Sequence, residues 1–468
     1  MTVYLDHAAT TPASPAAIEA YARAMATVGN PSSIHSAGQA AKRMLEEARE
    51  QVAATLGCEP IEVVFTSGGT EAINLALKGL YWQRNHAAGR PARAHSAGRP
   101  ASAHSAGRVA SAHSAGRVAS ASERIETRIQ TPTDTRAATR TRILVPGGEH
   151  HATIDTVEWL EQYEGATVQW LPLDETGALR LDALEQALTD DPESIALVTM
   201  IAANNEVGTV QPVRAAAALA AAAGVPLHVD AVAAYGHLPI DFSLLRTQSS
   251  SDAAGLVALS VSAHKIGGPV GIGALALSRH ASVVPLIHGG GQQRQVRSGT
   301  QDVAAAVSFA AAAREATDVL AEESARLSAL RDRVIAGVRA TVPDALLNGP
   351  EPPSTDRNRA HPDAVVRLSM NAHFSFPGCE GDSLLFLLDA AGISVSTGSA
   401  CQAGIPEPSH VLRAMGRDEV ASRGALRVTL GRTTTDADIT AFLTALPSAY
   451  AQAARAGLAD RETELGIR

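Results

Sequence analysis

Between Ile61 and Val261 the chain alternates short apolar runs with stretches of helical spacing, and that alternation leaves few architectures open. Residues 61–66, 143–146, 168–171, 195–201, 225–229 and 257–261 read as strands, several of them buried. Between them, helical spacing runs through Asn74 and Leu80, Ile154 and Leu160, Leu181 and Leu188, and the alanine-rich 215–223. Strands alternating with helices predict an α/β domain on a largely parallel sheet. In such sheets ligands sit at the carboxyl ends of the strands. His150, Asn205, Asp230 and Lys265 all fall at those ends.

Lys265 carries the most chemistry. Lysine occurs three times in the chain, at Lys42, Lys78 and Lys265, within a total of 39 basic residues. Lys42 and Lys78 sit in amphipathic helical patterns, whereas Lys265 ends the run Val257, Leu259, Val261 and precedes the turn Gly267-Gly268. An amine at the end of a buried strand sheds hydration, which favours its neutral, nucleophilic form and suits a Schiff-base lysine. Ser67-Gly68-Gly69-Thr70-Glu71 joins a strand to a helix start. That is either an anion site, since free N–H groups and the helix dipole favour phosphate, or an ordinary tight turn.

Composition excludes several classes. A net charge of -9 argues against nucleic-acid or membrane-surface binding, and no apolar run reaches transmembrane length. The N-terminus shows no signal-peptide pattern, so a cytoplasmic chain is expected. Cys58, Cys379 and Cys401 lack paired spacing, which excludes a disulfide framework or a self-contained zinc finger. Cys401 lies in the small-residue stretch Ser396-Thr-Gly-Ser-Ala-Cys401-Gln-Ala-Gly, exposed enough to react, while Cys58 at a helix end reads as packing.

Two regions break the alternation. From about residue 86 to 142, His-Ser-Ala-Gly-Arg recurs at 95–99, 104–108 and 113–117, without bulky apolar residues, as expected of a low-complexity insert. Beyond a helical region at 304–338 and a polar, proline-rich loop at 348–362, strands at 365–370, 393–396 and 426–430 mix with helices at 381–391 and 408–415. This predicts a smaller α+β domain. Residues 14–321 are assigned to the large domain, and 1–13 with 322–468 to the small one.

The parts suit one cofactor. Pyridoxal phosphate needs a lysine, an acid beside its ring nitrogen, a phosphate cradle and a ring to cover it. Lys265, Asp230, Gly69 with Thr70, and His150 supply these. With Tyr4-Leu-Asp-His-Ala-Ala-Thr-Thr-Pro12, Gly29-Asn-Pro-Ser-Ser33, Thr66-Ser-Gly-Gly-Thr-Glu71, Glu149-His150, Asn204-Asn-Glu-Val-Gly208, His228-Val-Asp230, Ser262-Ala-His-Lys265, Arg297-Ser-Gly-Thr300 and Ser396-Thr-Gly-Ser-Ala-Cys401, the chain resembles the group I cysteine desulfurases. These are class V aminotransferase-type enzymes of pyridoxal-phosphate fold type I.

That resemblance implies a mostly parallel seven-stranded sheet in the large domain and a homodimer. It implies that Thr70, Ser262 and His264 hold the phosphate, with Thr300 reaching in from the other subunit. Asn205 would lie near the cofactor's phenolic oxygen and contact substrate, and Arg427 would grip the carboxylate of L-cysteine. Lys265 and His150 would act with Cys401, which takes the sulfur as a persulfide and leaves L-alanine. The sulfur would pass to an iron–sulfur scaffold or a tRNA-thiolation protein. No resident metal is implied, with Cys401 at most a transient ligand of a cluster shared with a scaffold. Ala233 departs from the family, which usually has Gln there. A selenocysteine lyase, another class V enzyme or a weakly active binding scaffold are the rival readings.

Overall fold

The computed structural model of the chain describes residues 2–86, 140–246, 253–352, 366–398 and 408–459. The repeats of the insert, the polar stretch at 247–252 and Cys401 lie outside the described residues. A short strand β1 (Val3–Tyr4) opens the chain. Then β2 (Val63–Thr66), β3 (Arg142–Pro146), β4 (Thr167–Leu171), β5 (Ile195–Ile201), β6 (Pro226–Asp230), β7 (Gly255–Ser262) and β8 (Gly273–Leu277) form the seven-stranded sheet. Its order is β2-β8-β7-β6-β5-β3-β4, parallel throughout except for β8, which runs against both neighbours.

The central strands are buried along their whole length because helices cover both faces of the sheet. Neighbouring residues on a strand feed opposite faces. Val64, Leu197 and Leu275 pack on one side with Leu77 and Leu80 of helix Gly69–His86. Phe65, Val198 and Ala276 join the other side, with Leu45 and Val52 of helix Ser36–Leu56. That second helix is capped by His35, whose Nδ1 accepts the Gly38 N–H at 3.2 Å. It ends at Gly57, whose φ of 63° only glycine adopts without strain.

The C-terminal part holds β9 (Leu346–Asn348), β10 (Asn371–Ser375), β11 (Ile393–Ser394) and β12 (Ala425–Thr429). Three of these make an antiparallel sheet in the order β12-β10-β9, while β1 pairs in parallel with β11. The expected strand at 365–370 is displaced to Asn371–Ser375. Arg367 explains the shift: its buried guanidinium bonds the carbonyls of Pro350, Val207 and Asn348, and its segment bridges to Thr209 instead. The expected long helix is two, Val303–Asp318 and Leu320–Thr341, parted at Val319 by a ψ near zero. Helix Pro15–Met25 and strand β8 had no counterpart in the pattern.

Candidate active site

The carboxyl ends of the parallel strands open onto a cavity of about 310 Å³. Gly69, Thr70, His150, Asn205, Asp230, Ser262, His264, Lys265 and Arg427 all line it. Asp230 is the last residue of β6 and Ser262 the last of β7, and Lys265 ends the single 3-10 turn that follows. The N-terminal segment clamps this turn from outside: Thr11 donates its N–H to the His264 carbonyl at 3.1 Å, and Ser14 donates to Gly267 at 2.8 Å.

On the phosphate side, helix Gly69–His86 starts at the cavity, with its first N–H groups lacking intrahelical partners. A side chain at Gly69 would place Cβ 2.6 Å from Val232, and one at Gly273 would meet the backbone of Val261 and Gly68. Glycine is required at both. Ser262 Oγ is buried without a hydrogen-bond partner in the chain. Nearby, burial would raise Glu71, but hydrogen bonds from Arg297 and the Ser67 N–H hold its carboxyl below the usual range. An orphaned hydroxyl beside a helix start is what a bound phosphate ester satisfies.

Burial pushes Asp230 up to about 6, against the lowering effects of the Val232 N–H and the Lys265 charge. A protonated ring nitrogen opposite it would return the carboxyl to its ionised state. His150 caps helix His151–Glu164, and its Nδ1 accepts the Ala152 N–H at 3.1 Å, which leaves the ring proton on Nε2. Burial, then the charge of Lys265, pushes His150 down to about 4, so the imidazole is neutral at physiological pH. These features fit the pyridoxal phosphate that the resemblance implies: a lysine, an acid, a flat neutral ring and a phosphate cradle face one cavity.

Arg427 comes from the other side, on β12. Its Nη2 donates to Asp6 Oδ1 at 2.8 Å and its Nη1 to the Asn205 carbonyl at 3.0 Å, while Nε is buried without a partner. One N–H on each of Nη1 and Nη2 therefore lies outside these two bonds. Asp6 had no role in the sequence reading, and neither had Glu149. The latter is buried beside Asp230, with Oε1 accepting the Ile201 N–H at 2.8 Å and Oε2 unpartnered. Burial pushes Glu149 up to about 8. Ala233 lines the cavity and contributes no polar group to it.

Two expected residues are not brought to the cavity by the described chain. Thr300 is exposed, and Cys401 lies outside the described residues. Gly398, three residues earlier in sequence, does line the cavity, in a left-handed conformation with φ of 86°. Of the other cysteines, Cys379 is buried and Cys58 half-buried. Burial raises both thiols, Cys58 to about 12 and Cys379 to about 11, which makes them poor nucleophiles.

The aminotransferase class-V family model matches residues 3–115 and 118–442. An IscS-like cysteine desulfurase of Mycobacterium tuberculosis is 47% identical over 456 residues, covering 97% of this chain and 98% of that protein. A solved NifS-like protein superposes with a TM-score of 0.72 at 30% identity, covering 97% of this chain and all of the other. A structure described as SspA in complex with cysteine gives a TM-score of 0.65 at 26% identity, over 92% of this chain and 99% of that one.

Proposed function

The chain belongs to the aminotransferase class-V family, among its cysteine desulfurases, and we propose from that premise how its residues divide the work. Lys265 carries pyridoxal 5′-phosphate, with Gly69, Thr70, Ser262 and His264 around the phosphate and Asp230 at the ring nitrogen. When bound, that cofactor supplies an electron sink that lets a bond at the substrate's β-carbon break. Arg427 takes the substrate carboxylate with its remaining N–H groups, in the planar fork that suits two oxygens. Asn205, whose carbonyl already holds Arg427, flanks the same place.

With the cofactor bound, the Lys265 amine would move protons at the substrate's α-carbon. His150, neutral with its proton on Nε2, covers the ring without adding a charge that would oppose the ring nitrogen's proton. The Cys401 thiolate attacks the substrate sulfur: an S–S bond forms, the carbon–sulfur bond breaks, and the carbon takes a proton. L-Cysteine and the Cys401 thiol thus become L-alanine and a Cys401 persulfide.

The convergence of Lys265, Asp230 and Arg427 on one cavity carries this proposal. A homodimer, in which Thr300 completes the partner's phosphate site, and delivery of the persulfide sulfur to an iron–sulfur scaffold or tRNA-thiolation protein complete it. Among the described residues no helix is long and apolar enough to cross a membrane. Borohydride trapping with peptide mapping should label Lys265, and alanine release from L-cysteine should match persulfide on Cys401 in a single turnover. Label on Lys42 or Lys78 would sink the assignment.

A further inference from the structure

The turn after β5 does more than present Asn205. Asn204 stiffens it: its Oδ1 accepts the N–H groups of Glu206 and Val207, each at 2.9 Å, and its Nδ2 donates to the Gly148 carbonyl at 2.8 Å. Asn371 of β10 donates to the Glu206 carbonyl at 2.9 Å. The Glu206 side chain is buried, and its Oε2 accepts the Ser409 hydroxyl at 2.6 Å. A Cβ on Gly398 would lie 3.3 Å from the same oxygen, and 3.2 Å from the buried, unpartnered Nε2 of His373. In sequence, Cys401 lies between Gly398 and Ser409. Both described ends of its stretch therefore meet at one carboxyl oxygen.

Each end is also fastened to the wall of the cavity. At the Gly398 end, Ser396 and Arg427 exchange backbone hydrogen bonds of 3.2 and 2.6 Å, and the Ser396 hydroxyl accepts the Gly398 N–H at 3.1 Å. At the other end, His410 Nε2 donates to the carbonyl of Glu149, the residue before His150, at 2.8 Å. Ser409 Oγ accepts the Leu412 N–H at 3.2 Å, so it caps the short helix His410–Ala414 as well as bonding Glu206. We propose that Glu206 is a positioning residue for sulfur transfer: through Ser409 and Gly398 it fixes the two ends from which Cys401 is presented. This rests on the reading of Cys401 as the thiol that takes the sulfur. Glu206 is not among the residues that line the cavity, so its effect belongs to transfer and not to capture of cofactor or substrate.

The test uses the full-length protein loaded with pyridoxal phosphate. It reads cofactor absorbance, the absorbance change on adding L-cysteine, KM, and the single-turnover rate of persulfide formation on Cys401 by peptide mass. Ser409→Asp and Ser409→Asn are nearly equal in size, and both cap a helix. Only the asparagine has N–H groups to donate to Glu206; an ionised aspartate has none. Ser409→Asp should therefore slow persulfide formation about ten- to hundredfold, while Ser409→Asn stays within about threefold of wild type. Glu206→Met, similar in length but without an acceptor oxygen, should slow it about tenfold, which keeps the test usable if the Asp variant does not fold. Glu206→Gln, which keeps an acceptor, should recover most of that rate. In all four variants cofactor absorbance, the response to L-cysteine and KM should stay within about twofold. Equal rates in the Asp and Asn variants mean that Ser409 is only a helix cap and overturn the proposal. So does a wild-type rate in Glu206→Met, or a parallel loss of cofactor and L-cysteine response, which marks a packing role. If the wild type forms no persulfide on Cys401, the parent reading fails instead.

Discussion

The lysine side of the cavity and the arginine side are built in different ways. Lys265, Asp230 and Ser262 stand at the ends of adjacent central strands whose residues are buried throughout, and β6 and β7 pair in parallel with Asp230 opposite Ser260. Arg427 stands on a small antiparallel sheet, and its guanidinium is held at the cavity by Asp6, 421 positions away in sequence, and by the Asn205 carbonyl. One side is set by neighbouring strands, the other by closure of the chain's two ends. On the proposed roles, cofactor capture and substrate grip should therefore break separately.

The largest effects should fall on chemistry. Lys265→Ala should remove both cofactor linkage and turnover, by about 10⁴-fold or more. Cys401→Ser should abolish alanine and persulfide formation to a similar extent while still capturing pyridoxal phosphate, because a hydroxyl forms no persulfide. Turnover near the wild-type rate in Cys401→Ser would overturn the sulfur-transfer step.

On the arginine side the effect should appear in KM. Arg427→Ala removes charge-assisted hydrogen bonds of about 1.5–3 kcal/mol, or roughly ten- to hundredfold in KM for L-cysteine, with borohydride labelling of Lys265 unchanged. Asp6→Ala should raise KM about three- to tenfold through a less fixed guanidinium, and Asp6→Asn, which keeps an acceptor, should stay within about twofold. If Arg427→Ala also loses cofactor capture, the two sides are not separable.

A smaller effect concerns pH. Glu149 titrates near 8 in the folded chain against an ordinary 4.5, so between these values the folded state holds a proton that the unfolded state has lost. Its contribution to stability is intact below about 4.5 and falls as pH rises toward 8. Thermal or urea unfolding of wild type and Glu149→Gln should diverge in favour of Gln by about 1.4 kcal/mol per pH unit inside that window. Parallel curves would show that Glu149 is ionised in the fold.

The smallest effect is expected far from both sides. Asn85 and Arg140 bond each other twice, with Nδ2 to the Arg140 carbonyl at 2.9 Å and the Arg140 N–H to Oδ1 at 3.2 Å. The ends of the insert are therefore already closed, and long loops add only about 0.6 kcal/mol per doubling of length. Replacing 87–139 with a short linker should leave the melting temperature and cofactor content nearly unchanged.

How far the sequence showed these features follows the same division. The strand ends were legible because β5, β6 and β7 are apolar runs, β6 and β7 stopping at the polar Asp230 and Ser262 and β5 at Ile201 shortly before Asn204, so Asn205, Asp230 and Lys265 stood out. Arg427 was reached through the resemblance alone. Nothing in the local pattern of β12 separates it from any other strand with a single charged residue. The cap of helix Ser36–Leu56 is His35, not one of the neighbouring serines, because an imidazole nitrogen can accept the same N–H that a hydroxyl would. Strand β8 escaped because Gly273-Ala-Leu-Ala-Leu follows a glycine-rich turn and is five residues long.

By itself, then, the sequence determined the parallel strands of the sheet and the place of Lys265 and Asp230 at their ends, since strand period and the position of a polar residue after an apolar run are local properties. The tertiary structure decided what surrounds them. Asp6 holding Arg427, and Glu149 buried behind Asp230 with its carboxyl pushed well above the usual range, both arise from contacts between distant segments. Burial is what raises Glu149, and burial is a property of the packed chain that no single stretch of residues contains.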